Sequence, residues 1–522
     1  MRLTPAGKAI LLLLFFGGLF GLYRHLTQGP ETADKGTPGG STAPVSTPSA
    51  DTTGAVLDRP LRVGIVSWPG YAGGIVANNG FKPNTDCIFW KNHKLRVEFL
   101  LLEDIDVRGK AFAKGGPDGV DVVWSTVDFW ANELPGLNKS GIEAAAIMQV
   151  DWSRGGDAIV ADASIQRIED LKGKKISLVQ FTPSHWFLEF NLQNSSLDES
   201  QQEAIVKSLV SSGSTMDARS AFVAKQVDAS VIWEPDVTAA LERPGSHVLV
   251  SSATATDLIA DLMVTQRKFI EEHRAAVKAF VEGWLDGAVE ANRNPSLAVK
   301  LLMENEELYK ELGEEATRDG LTKVRLTDLT DNTRVFGLDG SRPRFDDLFD
   351  RAGRAWLKRG YIPYTVAAKE AKDDSFLRDV YARHPVAPPK QEFKATAQAK
   401  ARAETAKPLL TKQVRIQFAP DSAALTVQSK KTLDTVAGLL QAYSNAYVRV
   451  EGNTVGSGNA FAMRLSKSRA DSVVAYLVAA HGLDANRFTT RGNGPFKPIA
   501  SNNAEEGRAK NRRTDIMIIP KE

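Results

Sequence analysis

Leu61-Arg-Val-Gly-Ile-Val-Ser-Trp-Pro-Gly-Tyr71 carries a β-prone run into a corner of one hydroxyl, two aromatics, a proline and a glycine. An Ala/Gly-rich segment continues towards Asn78. A strand that stops on such residues offers backbone N–H groups, a hydroxyl and flat apolar surface at its C-terminal end, where open α/β sheets bind ligands. Comparable endings recur at 121–126, 175–184 and 228–235. We read these four strand ends as walls of one cleft.

Outward from that stretch, strand-like and helix-like segments alternate from 61 to about 385. The strand-like runs are 61–66, 95–102, 121–124, 144–149, 158–161, 175–180, 229–233 and 247–251. Between 271 and 292, Val277, Phe280, Val281, Trp284, Leu285 and Ala288 form one helical stripe. Such alternation predicts parallel-type sheets covered by helices, and the length predicts two lobes. A Pro-rich break follows near 384–389. Residues 386–412, rich in Ala, Lys and Gln, read as a semi-rigid spacer. From 413 a smaller α+β pattern begins: strands at 414–418, 447–452, 487–492 and 514–519, helices at 427–444, 460–480 and 505–511.

The totals exclude several classes. A net charge of +2 over 522 residues gives no basic surplus for general nucleic-acid binding. One cysteine, Cys87, rules out an intramolecular disulfide and a multi-cysteine metal site. No Ser–His–acid or His–acid metal spacing appears, so no enzyme and no cofactor is expected. Arg2 and Lys8 precede an apolar run, 9–23, closed by Arg24-His25. That is short for a spanning helix but lacks a small-x-small cleavage site. We read 1–28 as a single-pass signal anchor in the inner membrane of a Gram-negative-type envelope, with the bulk of the chain in the periplasm. Residues 29–60, mostly Thr, Ser, Pro, Gly and Ala, read as a flexible tether.

The candidate ligand residues are Ser67, Trp68, Tyr71, Ser125, Thr126, Thr182, Ser184, Trp233 and Glu234. Thr126 and Thr182, the latter followed by Pro183, have the character of helix caps. Helix N-termini favour carboxylate, sulfonate, nitrate or phosphate. Trp68 and Tyr71 suit a flat body or a cation, and Glu234 suits an ammonium. Trp124 and Trp284 read as core, His185 as structural, and Gly155-Gly156-Asp157 as a bend at a crossover.

Several of these pieces form an ordered set: Ser67-Trp-Pro-Gly-Tyr71, Asp121-Val-Val-Trp-Ser-Thr126, Gln149-Val-Asp-Trp-Ser-Arg-Gly-Gly-Asp157, Asp170-Leu-Lys-Gly-Lys174, Gln226-Val-Asp228, Trp233-Glu-Pro235 and Gly283-Trp284. With them, 61–385 resembles the type 2 periplasmic solute-binding proteins, in particular those for nitrate, sulfonates and thiamine-precursor pyrimidines. The resemblance implies lobe one at 61–150 and 256–385, lobe two at 151–255, and crossovers near 148–156 and 250–258. It also implies a small polar ligand, anionic or heteroaromatic, and an ABC permease or another inner-membrane protein as partner.

Phe418, Gly452-Asn-Thr454, Leu465-Ser-Lys-Ser-Arg-Ala470, Gly492-Asn-Gly494 and Asn511-Arg-Arg513 make 413–522 resemble the OmpA-like peptidoglycan-associated domain. The resemblance implies peptidoglycan as a partner, held by Asn453, Thr454, Arg469 and Arg512, with Arg469 on a carboxylate of the wall peptide. Helical spacing sets Arg469 in a row with Phe461, Leu465, Val473 and Leu477. The chain departs from the family pattern at Val455, where an acid is expected, and at Ala462, where an asparagine is expected. The alternative function is an envelope linker in which both folds act as interaction scaffolds.

Overall fold

Strand β1 (Leu61–Ile65) runs parallel to β2 (Val97–Leu101) on one side and β3 (Val122–Thr126) on the other. Antiparallel to β3 lies β10 (Ala260–Gln266), then β4 (Ala144–Ser153), then β11 (Val324–Leu326), which completes a six-stranded sheet. A second sheet has the order β7 (Leu209–Ser211), β6 (Ile176–Leu178), β8 (Ala229–Trp233), β5 (Asp157–Asp162) and β9 (Ser246–Ser251). The computed structural model describes residues 54–387, 393–418, 422–456 and 458–521. The anchor expected at 1–28 and most of the tether, 29–53, lie outside the described residues. Among those described, no helix is long and apolar enough to cross a membrane.

The expected parallel-type sheets are in fact mixed. β4 leads out of the first sheet into β5 of the second, while β9 leads back into β10. A strand that leaves and a neighbour that returns must run in opposite senses, so β4 and β10 pair antiparallel.

The segment after the opening corner is Ala/Gly-rich because it packs flat. Helix Ala72–Asn78 lies against helix Arg274–Arg293, where Trp284 is fully buried. A Cβ at Gly74 would fall 2.3 Å from the Trp284 ring. Backbone-to-ring approach this close admits only glycine. This contact fixes the floor beneath the corner.

The C-terminal sheet runs β12 (Leu410–Val414), β15 (Thr514–Pro520), β13 (Ala446–Asn453), β14 (Phe488–Gly494). Its first strand thus starts four residues before the expected 414. The expected spacer is also not free: Phe393 is buried edge-on against Tyr447. Arg449 donates to the carbonyls of Ala403 and Ala406, both at 3.0 Å. Phe393 and these carbonyls tie a stretch poor in apolar residues to the sheet.

This domain rests on both sheet regions. Tyr443, fully buried, donates to Asn191 Oδ1 at 2.8 Å and stacks near Phe190. Arg344 donates to Gln441 Oε1 at 2.8 Å, and the Asp257 amide donates to the Ala442 carbonyl at 3.2 Å. The domain therefore touches helix Pro183–Asn194, helix Arg344–Arg359 and the β9–β10 crossover together.

Candidate functional site

Where the two sheets face each other, a cavity is lined from the first by Val66, Trp68, Tyr71, Trp124, Ile259 and Asp261, and from the second by Asp157, Pro183 and Trp233. The lobes are closed over it. Trp124 and Trp233 meet edge to face with ring centroids 6.1 Å apart. Lys323 Nζ donates across to Glu234 Oε1 at 2.6 Å. The remaining volume is about 10 Å³, the room of roughly one water.

Two of the four aromatics are held by an acid. Trp68 Nε1 donates to Asp151 Oδ2 at 3.1 Å, and Tyr71 OH donates to Asp261 Oδ1 at 2.8 Å. Trp124 is backed by Arg108, whose guanidinium lies 5.0 Å from its ring centroid and donates to the Trp124 carbonyl through Nε at 3.1 Å. Arg108 is itself buried and paired with Glu133, as a charge removed from water must be. Gly156 brings the lobes together: a Cβ there would fall 2.3 Å from the Trp68 ring.

Asp151, Asp157 and Asp261 are all buried. Burial raises the Asp157 carboxyl to about 7, with the charge of Glu234 adding to it. Asp151 and Asp261 are pushed well above the ordinary carboxylate range by burial and by neighbouring carboxylates. Asp128, behind them in the first turn of helix Val127–Lys139, is raised to about 8, chiefly by burial. Asp157 Oδ1 and Asp151 Oδ1 have no hydrogen-bond partner.

Of the nine ligand residues expected from sequence, the structure brings Trp68, Tyr71 and Trp233 together in this lining. The other six are occupied elsewhere or only nearby. The Ser67 amide donates to Glu103. Ser125 Oγ donates to Glu133 Oε2 at 3.0 Å, and Thr126 caps a helix by accepting from the Phe129 amide. Thr182 Oγ1 donates to the Val179 carbonyl at 2.7 Å. Glu234 accepts from Thr238 and Lys323. Ser184 is buried beside Pro183, its Oγ without a partner. Trp124, read as core, lines the cavity, and Asp157, read as part of a bend, does too. Asp261 was missed with its strand. Trp284 is core, and His185 is buried among Phe181, Trp356 and Tyr361 with its pKa lowered by burial to about 4.

In the C-terminal domain, Arg469 Nε donates to the Ser422 carbonyl at 3.0 Å, and its guanidinium lies 4.8 Å from the Phe418 ring centroid. The buried face of helix Ala460–His481 is Ala462, Ser466, Ala470, Val473 and Leu477. Phe461 is half exposed, so the row expected from Phe461 and Leu465 is displaced by one residue. Asn453 is turned inward: its Nδ2 donates to Asp515 Oδ2 at 2.9 Å and its Oδ1 accepts from Asn493 at 3.0 Å. Thr454 is buried, and Arg512 pairs with Glu505. Asn459 caps the helix through the Ala462 amide. Of the four expected wall contacts, Asn453 and Thr454 are buried, whereas Arg469 and Arg512 are partly exposed.

Residues 149–298 match the family model described as NMT1/THI5 like, and residues 417–512 match the OmpA family. Among solved structures, the periplasmic nitrate-binding protein NrtA from Synechocystis PCC 6803 aligns with a TM-score of 0.51 at 10% identity, over 63% of this chain and 91% of that one. That likeness is one of fold. The C-terminal region is 43% identical over 106 residues to the probable lipoprotein YiaD of Escherichia coli (strain K12), covering 20% of this chain and 48% of that protein. It is 40% identical over 104 residues to the peptidoglycan-binding protein ArfA of Mycobacterium tuberculosis (strain ATCC 25618 / H37Rv), covering 20% and 32%. The chain spans about half the length, or less, of these curated relatives. It joins a mixed α/β fold of the periplasmic-binding-protein type to a C-terminal OmpA-like domain.

Proposed function

We propose that this protein is an envelope solute receptor: it captures a small polar molecule between its lobes and is held at the cell wall by its C-terminal domain. The observation that carries the reading is the cavity where the ends of β3, β8 and the 61–71 stretch meet. Three tryptophans and a tyrosine enclose it, and two carboxyl groups face it. A closed interface built only for stability would not place so many buried acids together, because each costs free energy when desolvated. The reading makes the 1–28 segment a single-pass inner-membrane anchor and an ABC permease the recipient of the solute. Tethering raises the solute receptor's local concentration at such a partner.

For the wall, Arg469 is the residue assigned to a peptide carboxylate, which planar guanidinium geometry suits. Asn453, Thr454 and Arg512 are the other residues proposed for the wall site, and their contacts with Asp515, Asn493 and Glu505 compete with that role for Asn453 and Arg512. A melting-temperature screen of the full-length chain in detergent tests the solute reading. A true ligand at 100 times its Kd stabilises by about 2.7 kcal/mol. No shift with any metabolite class would refute it. Carbonate extraction of membranes tests the anchor, with release into the soluble fraction as the contrary result.

A further inference from the structure

We infer that the cavity receives a small organic ammonium cation, its head seated among Trp68, Tyr71, Trp124 and Trp233 and facing Asp157 and Asp261. The inference rests on the cleft being a solute site, and it replaces the anionic ligand that the helix caps alone suggest. The lining contains carboxyl groups and aromatic faces but no lysine or arginine. Thr126 and Thr182, whose helix ends were to receive an anion, do not line it, and both hydroxyls are engaged with backbone.

The nearest cations are already committed. Lys323 is bonded to Glu234 at 2.6 Å and to Asp319 at 2.8 Å. Arg108 is bonded to Glu133 and the Trp124 carbonyl. An anion would therefore find no uncommitted cation in the lining and would oppose the ionisation of Asp157. A cation gains from the ionised form of Asp157 and from the π faces, whose attraction strengthens when water is excluded.

Two further observations point to a ligand rather than to acids merely stored in a core. Asp157 is 2% exposed, lines the cavity, and leaves Oδ1 without a partner. Gly156, the residue before it, lies against the Trp68 ring, and β5 begins at Asp157, so the acid enters the cavity at a fixed strand end. A metal ion fits poorly: among the described residues no group of three or more His, Cys, Asp or Glu side chains could hold one. The rings also occupy the directions in which a metal needs oxygen. The cavity's size sets the head: with room for roughly one water it takes ammonium as it stands, and each added methyl group requires the lobes to part.

The test is calorimetric titration of the full-length chain with ammonium, methylammonium and tetramethylammonium chlorides, beside methanesulfonate, nitrate and a neutral pyrimidine. The expected result is saturable binding within the ammonium series and none by the anions. Asp157→Asn should weaken it at least about 10-fold, and Trp233→Leu by roughly 10- to 30-fold. The unliganded melting temperature of Asp157→Asn shows whether that variant is folded. Affinity should also rise between pH 6 and 8 as Asp157 ionises. Its charged surroundings are Asp128, Asp151, Asp261 and Glu234, with Lys323 and Arg108 paired as above. Binding of an anion or of the pyrimidine, with none by the ammonium series, overturns the cation and leaves the solute site standing. No binding by any probe overturns both. Ammonium binding undiminished in a folded Asp157→Asn overturns the seat assigned here.

Discussion

Asp128→Asn should stabilise the lobes at pH 8 by clearly more than it does at pH 5. The Asp128 carboxyl is 2% exposed and titrates near 8 rather than 3.8, mainly through burial. The folded state thus keeps its proton when the unfolded chain has lost it. Between those two values the folded state binds more protons, so unfolding free energy falls as pH rises and levels off above about 8. At about 1.36 kcal/mol per pH unit, this group removes roughly 2 kcal/mol by pH 5 and about 5 by pH 8, a difference of roughly 3 to 4 kcal/mol. These figures are ceilings, because structure relaxes around a buried charge. Asparagine mimics the protonated acid, so it should erase this part of the slope. Asp157 and Glu306, raised by burial to about 7 and about 8, act in the same direction and keep the variant's slope above zero.

The assay follows from the sequence. All nine tryptophans fall between Trp68 and Trp356, so tryptophan fluorescence reports only the two-sheet region. In urea the midpoint difference between variant and parent should grow by about 1 M from pH 5 to pH 8, taking a slope of about 3 kcal/mol per M. Parallel midpoints across that range would refute the claim that Asp128 is held protonated by burial.

Gly156→Ala should displace the Trp68 ring, with an overpacking cost of about 1 to 3 kcal/mol; unchanged ligand affinity and unchanged melting would argue against the close approach. Tyr443→Phe strands Asn191 Oδ1 and should cost about 1 to 3 kcal/mol, read as faster amide exchange across 186–194; protection equal to the parent's would show that the C-terminal domain does not dock there. Arg469→Ala should reduce retention on purified sacculi by at least about 10-fold, the loss of one charge-assisted contact, and equal retention would remove that residue from wall binding.

Much of the strand framework could be read from hydrophobic pattern, because strands buried on both faces, such as 229–233, are mostly apolar short runs. β10 escaped because Asp261 interrupts an otherwise apolar run in Ala260-Asp-Leu-Met-Val-Thr-Gln266. A buried acid breaks the pattern that reveals a strand, and here that acid lines the cavity. Asp157 escaped for a related reason: after two glycines it looks like part of a bend, and only the pairing of β5 with β8 sets it opposite Trp233. Ser125, Thr126 and Thr182 have the right chemistry at strand ends, yet local bonds absorb their hydroxyls. Nothing in one-dimensional spacing distinguishes a hydroxyl that caps a helix from one that meets a ligand. The acids of the site come from Asp151, Asp157 and Asp261, and the distance from the first two to the third along the chain hides the cluster altogether.

The same alternation that hides the site also separates charge within the fold. Successive residues of a strand point to opposite faces. On β4, Asp151 faces Trp68, whereas Trp152 borders a second cavity of about 1,380 Å³ shared with the C-terminal domain. That second space is ringed by Arg154, Arg325, Arg334, Arg344, Arg351 and Arg487. Burial lowers Arg351 and Arg487 to about 10, and like charge from Arg344 adds to the effect at Arg351. The first space is thus lined by acids without a base, whereas the second mixes these arginines with Asp257, Asp331, Asp347 and Asp434. Asp257, buried on the β9–β10 crossover, pairs with Arg154 and Arg334 and offers its amide to Ala442. Any rotation of the lobes about these crossovers must carry Asp257 with it, and with it the contacts of Ala442 and Tyr443. The β9–β10 crossover thus joins the strand that brings Asp261 to the aromatic cavity with the contacts that hold the C-terminal domain in place.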